Sequence, residues 1–221
     1  MLSVVIRVQV PSVVDVIAND LRRSVLSGEL RPGSSLTEAD VAGRYDVARA
    51  TAKAAIERLV AESMLERSTH KTARVVRLGP QDVRDIYLSR AILEAEVLRR
   101  LAAAGTPIPE AAREANAEIR RRWNASSFDV VEPDMRFHTS MVDAVGTVRT
   151  SRMYRGLASE VRLCMAQVQG RQLLSPAVIV AEHERILELV EAGAGNEAAE
   201  VLDGHLGRAR DLLIDALDNA D

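Results

Sequence analysis

The sequence holds few of the residues that mark extracellular, membrane-spanning or sheet-rich proteins. Cysteine occurs once, at position 164, so no disulfide can form within the chain and a reducing cytoplasm is the expected location. Aromatic residues make up only 3% of the chain, which favours helices over sheet. The apolar segment 1–10 is too short to cross a bilayer, and no other apolar run approaches the ~18 residues required. These absences predict a cytoplasmic, mainly α protein without a membrane partner.

Charge is distributed unevenly along the chain, although the net charge is only −3. Residues 1–78 carry 12 basic and 9 acidic side chains, whereas residues 79–221 carry 17 and 23. A mildly basic front and an acidic remainder are typical of a protein that touches nucleic acid at one end only.

The front segment, residues 1–78, has the pattern of a winged helix-turn-helix DNA-binding domain. A helical pattern over 12–27 ends at Gly28, a short helix begins after the capping residue Thr37, and a third helix covers 48–63. Residues 65–78 alternate around a polar tip, which predicts a β-hairpin. Helix, short helix, helix and hairpin in this order predict a domain that places its third helix in the major groove of double-stranded operator DNA.

Five basic or hydroxyl side chains are candidates for DNA contact. Arg49, Thr51 and Lys53 lie in the first turns of the third helix, from which side chains reach base edges and phosphates. Arg44 precedes the turn and Lys71 lies at the hairpin tip, where both could contact phosphate. The alternative for such charges is an ordinary solvated helix face, but the surrounding helix-turn-helix pattern favours DNA contact.

Behind Leu78-Gly79-Pro80, residues 79–221 show only helical patterns, separated by breaks that carry Gly, Pro, Ser or Asn. This predicts an all-α six-helix bundle that binds metal and effector and forms the dimer. The six predicted helices cover about 80–104, 107–125, 130–145, 147–169, 175–192 and 196–218.

Three histidines and one aspartate of this bundle form a candidate metal site. His138 follows Asp134 by four residues, which places both on one helix face. His183 and His205 lie eleven residues before and after position 194, so an antiparallel helical hairpin would bring them side by side. One carboxylate and three imidazoles suit a divalent Zn, Ni, Mn or Fe ion without choosing among them. The alternative for each histidine is an ordinary hydrogen-bonded core or surface residue.

Arg90 is a candidate effector-binding residue because it lies in an apolar-leaning helix and could clamp a carboxylate. The alternative is a structural ion pair with Glu94, one helical turn further along. Cys164 is expected to be a small core residue rather than a metal ligand or redox sensor.

The front segment resembles the N-terminal domain of GntR-type bacterial regulators. The resemblance rests on residues 25–38, V-L-S-G-E-L-R-P-G-S-S-L-T-E. It continues into residues 47–56, V-A-R-A-T-A-K-A-A-I, where the family usually has V-S-R-T-P-V-R-E-A-L. Arg49 is retained, while Lys53 replaces the second arginine.

The bundle resembles the FadR-like effector domain, also called the FCD domain, that follows this DNA-binding domain in many GntR regulators. The matching motifs are Arg90-x-x-x-Glu94, Asp134-x-x-Phe137-His138, Glu182-His183 and His205. The resemblance implies that the aspartate and the three histidines coordinate a divalent metal and that a small carboxylate effector binds beside it.

Together these features predict a homodimeric, ligand-responsive transcription factor. The resemblance to GntR regulators implies that it represses genes until a small organic acid binds. Two alternative functions remain open from the sequence. The first is a metal sensor, in which the ion itself is the signal. The second is a metalloenzyme, although no general base stands near the ligands and a DNA-binding domain has no purpose there.

Overall fold

The computed structural model of the chain describes residues 11–67, 72–122, 127–168 and 175–219, and helices dominate all four ranges. The chain divides into two units, Met1–Val76 and Arg77–Asp221. The predicted fold class is confirmed: a small winged helix-turn-helix is followed by a helical unit. None of the described helices is both long enough and apolar enough to cross a membrane.

The N-terminal unit begins each of its first two helices at a capping box. Ser12 accepts a hydrogen bond from the backbone N–H of Asp15, and Thr37 accepts one from that of Asp40. Asp46, in the left-handed conformation, ends the second helix and turns the chain into the third. The elements are α1 Val13–Leu26, β1 Ser35–Leu36, α2 Glu38–Tyr45, α3 Arg49–Ala61, β2 Leu65–Arg67 and β3 Ala73–Val75.

The wing of this unit contains a strand that sequence patterns miss. β2 and β3 form the expected antiparallel pair, and β1 adds to the other edge of β3, so that the strand order is β1-β3-β2. β1 has only two residues, Ser35 and Leu36, which is too short for a visible alternation. The predicted DNA contact Lys71 lies outside the described residues.

The C-terminal unit is a bundle of six α-helices over its described residues. Its second helix is shorter than the predicted 107–125, because Pro109 caps the start at Glu110. The helices are α4 Pro80–Ala104, α5 Glu110–Arg121, α6 Val131–Asp143, α7 Val148–Gln167, α8 Pro176–Glu191 and α9 Gly195–Asp218.

Helix α4 occupies the centre of the bundle and packs against α6, α7, α8 and α9. Its closest neighbour is α9, whose first residue, Gly195, faces the backbone of Arg99. A β-carbon at Gly195 would lie 2.8 Å from the Arg99 Cα atom, so only glycine permits this approach. This packing brings the inward faces of α4, α6, α8 and α9 together, and the site described next lies among them.

Candidate metal and effector site

The four predicted metal ligands come from three helices and meet inside the bundle. Asp134 and His138 project from α6, His183 from α8 and His205 from α9. One potential ligand atom from each lies within 4.8 Å of all the others. The three histidines are at most 2% exposed, and only the aspartate side chain retains some contact with solvent.

Two of the imidazoles are held by carboxylates behind them. His138 donates its Nδ1–H to Glu94 Oε2 at 2.6 Å, and His205 donates its Nδ1–H to Glu182 Oε2 at 2.8 Å. Arg208 pairs with the other oxygen of Glu182. With the proton on Nδ1, each ring presents its Nε2 lone pair to the centre, which is the tautomer that a metal requires.

The third imidazole, His183, is held by an amide and an aromatic ring. Its Nδ1–H donates to Asn116 Oδ1 at 3.2 Å, and the same amide donates to the Val180 carbonyl. Phe137 stacks on the imidazole with ring centroids 3.7 Å apart and planes inclined by 4°. Burial, together with the proximity of His205, His138 and Arg90, lowers the pKa of His183 well below the ordinary value. The ring is therefore neutral and free to act as a ligand at physiological pH.

Three buried acceptor atoms face one another at the centre without a hydrogen-bonding partner in the described structure: Asp134 Oδ1, His138 Nε2 and His183 Nε2. The aspartate oxygen lies 3.8 Å from the first nitrogen and 3.4 Å from the second. Lone pairs that face one another repel, and each buried polar atom left unpaired costs about 1–3 kcal/mol. A cation between them removes both costs, so the donor set fits a divalent metal.

Arg90 forms the ion pair that was the alternative to an effector-binding role, and one nitrogen of its guanidinium is left over. It is 1% exposed, its Nε donates to Glu94 Oε1 at 2.9 Å, and its guanidinium carbon lies 5.1 Å from the centre of the Tyr87 ring. The ion pair with Glu94 is thus present. Its Nη2, however, is buried and has no hydrogen-bonding partner among the described residues. A buried guanidinium with a free donor is suited to bind an anion.

A cavity of about 50 Å³ joins Arg90 to the ligand cluster. Arg90, Asp134, His205 and Tyr87 supply its polar wall. The remaining lining residues are aliphatic or thioether side chains: Val130, Val131, Met135, Val161, Met165, Ile179 and Ala209. One small organic molecule could therefore touch Arg90 and a metal together.

Three residues that hold the side chains of the site were not among the site residues predicted from the sequence: Tyr154, Asn116 and Glu182. Tyr154 on α7 donates its hydroxyl to Glu94 Oε1 at 2.8 Å. Asn116 and Glu182 hold imidazoles, as described above. Glu182 could have been recognised because it precedes His183, but Asn116 and Tyr154 carry no signal of spacing, since their positions depend on how α5 and α7 pack.

The candidate DNA-contacting residues of α3 present a free basic face. Arg49 and Lys53 are exposed, and neither has a described ionic partner. Thr51, between them, is half-buried. Further along the same helix, Arg58 pairs with Asp15. The basic side chains of α3 that have no described ionic partner therefore lie in its first turns.

Arg44 lies in a network of acidic side chains rather than standing free. Its Nη2 is 3.2 Å from Glu29 and 3.5 Å from Asp20. Tyr45 donates its hydroxyl to the same aspartate at 2.6 Å. Arg44 thus ties α2 to α1 and to the loop behind it. A phosphate contact by this side chain would compete with those carboxylates.

Two family models together match most of the chain. Residues 14–75 match the bacterial regulatory proteins of the gntR family. Residues 85–208 match the FCD domain.

Proteins of similar sequence are also transcriptional regulators with a helix-turn-helix domain. The HTH-type transcriptional repressor GlaR of Escherichia coli is 26% identical over 198 residues, 84% of this chain and 89% of the repressor. The HTH-type transcriptional regulator BphR of Paraburkholderia xenovorans is 31% identical over 91 residues. That match spans 41% of this chain and 37% of the relative.

Solved structures share the fold at low identity. A GntR regulator from Rhodococcus sp. RHA1 superposes with a TM-score of 0.77 at 20% identity, covering 91% of this chain and 97% of the other. Escherichia coli McbR/YncC gives 0.72 at 16% identity, with 92% and 98% covered. The metal-free FCD domain of another transcriptional regulator gives 0.54 at 19% identity, with 65% and 99% covered.

Proposed function

This chain belongs to the GntR family of bacterial transcriptional regulators and carries its FCD domain, and from that premise we propose that it is a metal-dependent repressor released from its operator by a small carboxylate. One observation supports this proposal above all others. Asp134 Oδ1, His138 Nε2 and His183 Nε2 are buried, mutually facing and without hydrogen-bonding partners among the described residues.

The metal would be held by Asp134, His138, His183 and His205. Metal–ligand distances of about 2.0–2.2 Å place two ligands of one ion between about 3 and 4.4 Å apart. The observed limit of 4.8 Å therefore requires a small inward movement only. Three nitrogens and one oxygen suit Zn, Ni, Mn or Fe, and positions remain open for an effector.

Metal content tests this part of the proposal directly. The purified full-length protein should contain about one divalent ion per chain by mass spectrometry. His183→Ala and Asp134→Ala should each lower that content at least tenfold, since each removes one ligand of a buried ion. The control is Glu188→Ala, which removes an exposed carboxylate of α8 that pairs with Arg185. Stoichiometric metal in both ligand variants would refute the site.

The effector would bind in the 50 Å³ cavity, with one carboxylate oxygen at Arg90 Nη2 and another at the metal. A ligand shifts a conformational equilibrium only by its difference in affinity for the two states. Arg90→Ala should therefore abolish release from operator DNA by carboxylates while DNA binding persists. An unchanged release would leave Arg90 as a structural partner of Glu94 alone.

The operator would be read by the first turns of α3, through Arg49, Thr51 and Lys53. Arg49→Ala should weaken binding to an operator selected from random-sequence DNA by about 1–3 kcal/mol, with metal content unchanged. Arg185→Ala, on α8 in the other unit, is the control. If metal alone, without any carboxylate, changed operator affinity at physiological concentrations, the protein would be a metal sensor instead.

A second copy of this chain would cover an apolar surface on α4 and α7. Among the described residues, four of the seven exposed large apolar side chains lie there: Leu88, Ile92, Val148 and Met153. A groove between the two helices is bordered by the ion pair of Glu96 and Arg100, which could exchange partners with its two-fold copy. Ile92→Glu should convert a dimer into monomers in sedimentation analysis, whereas Val178→Glu, elsewhere on the unit, should not.

A further inference from the structure

The chemical class of the effector follows from the walls of the cavity that joins Arg90 to the ligand cluster. We infer that the effector is a short-chain monocarboxylate with an apolar tail rather than a di- or tricarboxylate. This inference rests on the proposed function of the same site and narrows it.

The charges around the site balance a monoanion. Two guanidinium groups, Arg90 and Arg208, oppose three carboxylates, Asp134, Glu94 and Glu182, so the metal-free site carries one negative charge. A divalent metal changes this to one positive charge. A single carboxylate then neutralises the loaded site, whereas the empty site repels it.

Among the described residues, the cavity offers a second carboxylate no second cationic side chain. Apart from Tyr87, Arg90, Asp134 and His205, its described walls are aliphatic or thioether side chains, among them Val161, Met165 and Ile179. A charge buried against such walls is strongly unfavourable unless it is paired. The same walls favour a hydrocarbon tail, because each methylene buried there strengthens binding about fourfold.

The volume of the cavity limits the tail. A site of this kind needs roughly 10–15 Å³ to hold one water molecule. The observed 50 Å³ is several times larger and limits the effector to a carboxylate with a tail of a few carbon atoms.

Butyrate and succinate form the matched pair for the test, because they share a four-carbon chain and differ by one carboxylate. Binding would be measured by calorimetry and thermal shift on the full chain loaded with Zn²⁺. We expect butyrate to bind at least tenfold more tightly than succinate, and neither to bind after the metal is removed. Succinate binding as tightly as butyrate, or tighter, overturns the inference.

Met165 of α7 lines the cavity and supplies a second, independent readout. Val178 of α8 is exposed and is not among the described residues that line the cavity. Met165→Ala should enlarge the cavity and move the preference from butyrate towards hexanoate, whereas Val178→Ala should leave the order of chain lengths unchanged. If the Met165 variant does not fold, Ile179→Val provides a smaller enlargement of the same wall.

The outcomes distinguish failure of the monocarboxylate inference from failure of the proposed metal and carboxylate site. Metal-dependent binding of succinate that is as tight as that of butyrate, and that is lost in Arg90→Ala, contradicts the monocarboxylate assignment but leaves the carboxylate-responsive site intact. An unaltered chain-length order in both enlarged variants contradicts the role of the apolar walls. Absence of carboxylate binding to the Zn²⁺-loaded protein overturns both.

Discussion

Glu94 connects the two halves of the candidate site through a single carboxylate. Its Oε2 accepts from His138, while its Oε1 accepts from Arg90 and from Tyr154. Burial opposes its ionisation, but the hydrogen bonds from His138 and Tyr154 and the charge of Arg90 outweigh burial and lower the pKa of Glu94 below that of an ordinary carboxyl group. The proposed metal ligand His138 and the proposed anion-binding guanidinium of Arg90 therefore share one anchor.

Replacing this anchor should weaken the link between metal and effector. Glu94→Gln cannot hold the charge of Arg90 and offers an amide that cannot accept both the Arg90 and His138 hydrogen bonds as a carboxylate does. We expect at least a tenfold loss in metal affinity and a smaller effect of metal on butyrate affinity, both measured by calorimetry.

The control for this variant lies on the same helix. Glu96→Gln removes an exposed carboxylate that pairs with Arg100. It should leave both affinities unchanged, because an exposed pair contributes at most about 1 kcal/mol and touches neither ligand. If Glu94→Gln behaved like this control, the shared anchor would have no part in the coupling.

Cys164 should be chemically inert in the folded protein. The side chain is fully buried, and burial raises the pKa of its thiol to about 12. Because the thiolate is the reactive form, Ellman's reagent should modify less than one tenth of the protein under native conditions and all of it in guanidinium. Rapid modification of the native protein would contradict this burial.

At the level of single residues, the sequence predicts which charged side chains pair, but not which of their nitrogen or oxygen atoms remain without a hydrogen bond. The spacing of Arg90 and Glu94 predicts either an ion pair or an anion site, and the structure contains the pair together with a spare Nη2. Whether a nitrogen of a guanidinium is satisfied depends on Tyr154 and other side chains from distant parts of the chain. Such neighbours have no fixed sequence spacing.

At the level of elements, the approach of α9 to α4 sets the height of His205 in the bundle. Gly195→Ala places a β-carbon 2.8 Å from the Arg99 Cα atom, which forces the two backbones apart. Overpacking of this kind costs about 1–3 kcal/mol, so the melting temperature should fall.

Gly207, on the same helix, provides the comparison. No atom lies within 4 Å of a β-carbon placed there. Gly207→Ala should raise stability by up to about 1 kcal/mol, because alanine is the better helix former. Thermal unfolding of both variants checks the pair, and equal melting temperatures would show that the helices do not meet closely.

Helix positions were largely predictable, because caps and breaks are local signals. The Thr37–Asp40 capping box of α2 is an example that the structure contains as the sequence suggests. Strand β1 was not predictable, since its two residues become a strand only by pairing with β3. The start of α3 lacks the local signal that marks α2, because its N-cap residue Ala48 makes no side-chain hydrogen bond.

For the whole molecule, we expect operator affinity to depend on salt concentration, because the basic residues proposed to contact phosphate lie in the N-terminal unit. Phosphate contacts release counterions, so operator affinity should fall steeply with salt concentration. Lys53→Ala should reduce the slope of log affinity against log salt by about one for each copy bound. Arg185→Ala, which removes an equal charge from the helical unit, should leave the slope unchanged.

Two of the three tyrosines of the chain border the candidate site. Tyr87 forms part of the cavity wall, and Tyr154 donates its hydroxyl to the carboxylate behind His138. A cation bound at the proposed site would alter the electric field at both phenol rings. Ultraviolet difference absorbance of the tyrosine bands would therefore give a label-free optical signal of occupancy from within the protein itself.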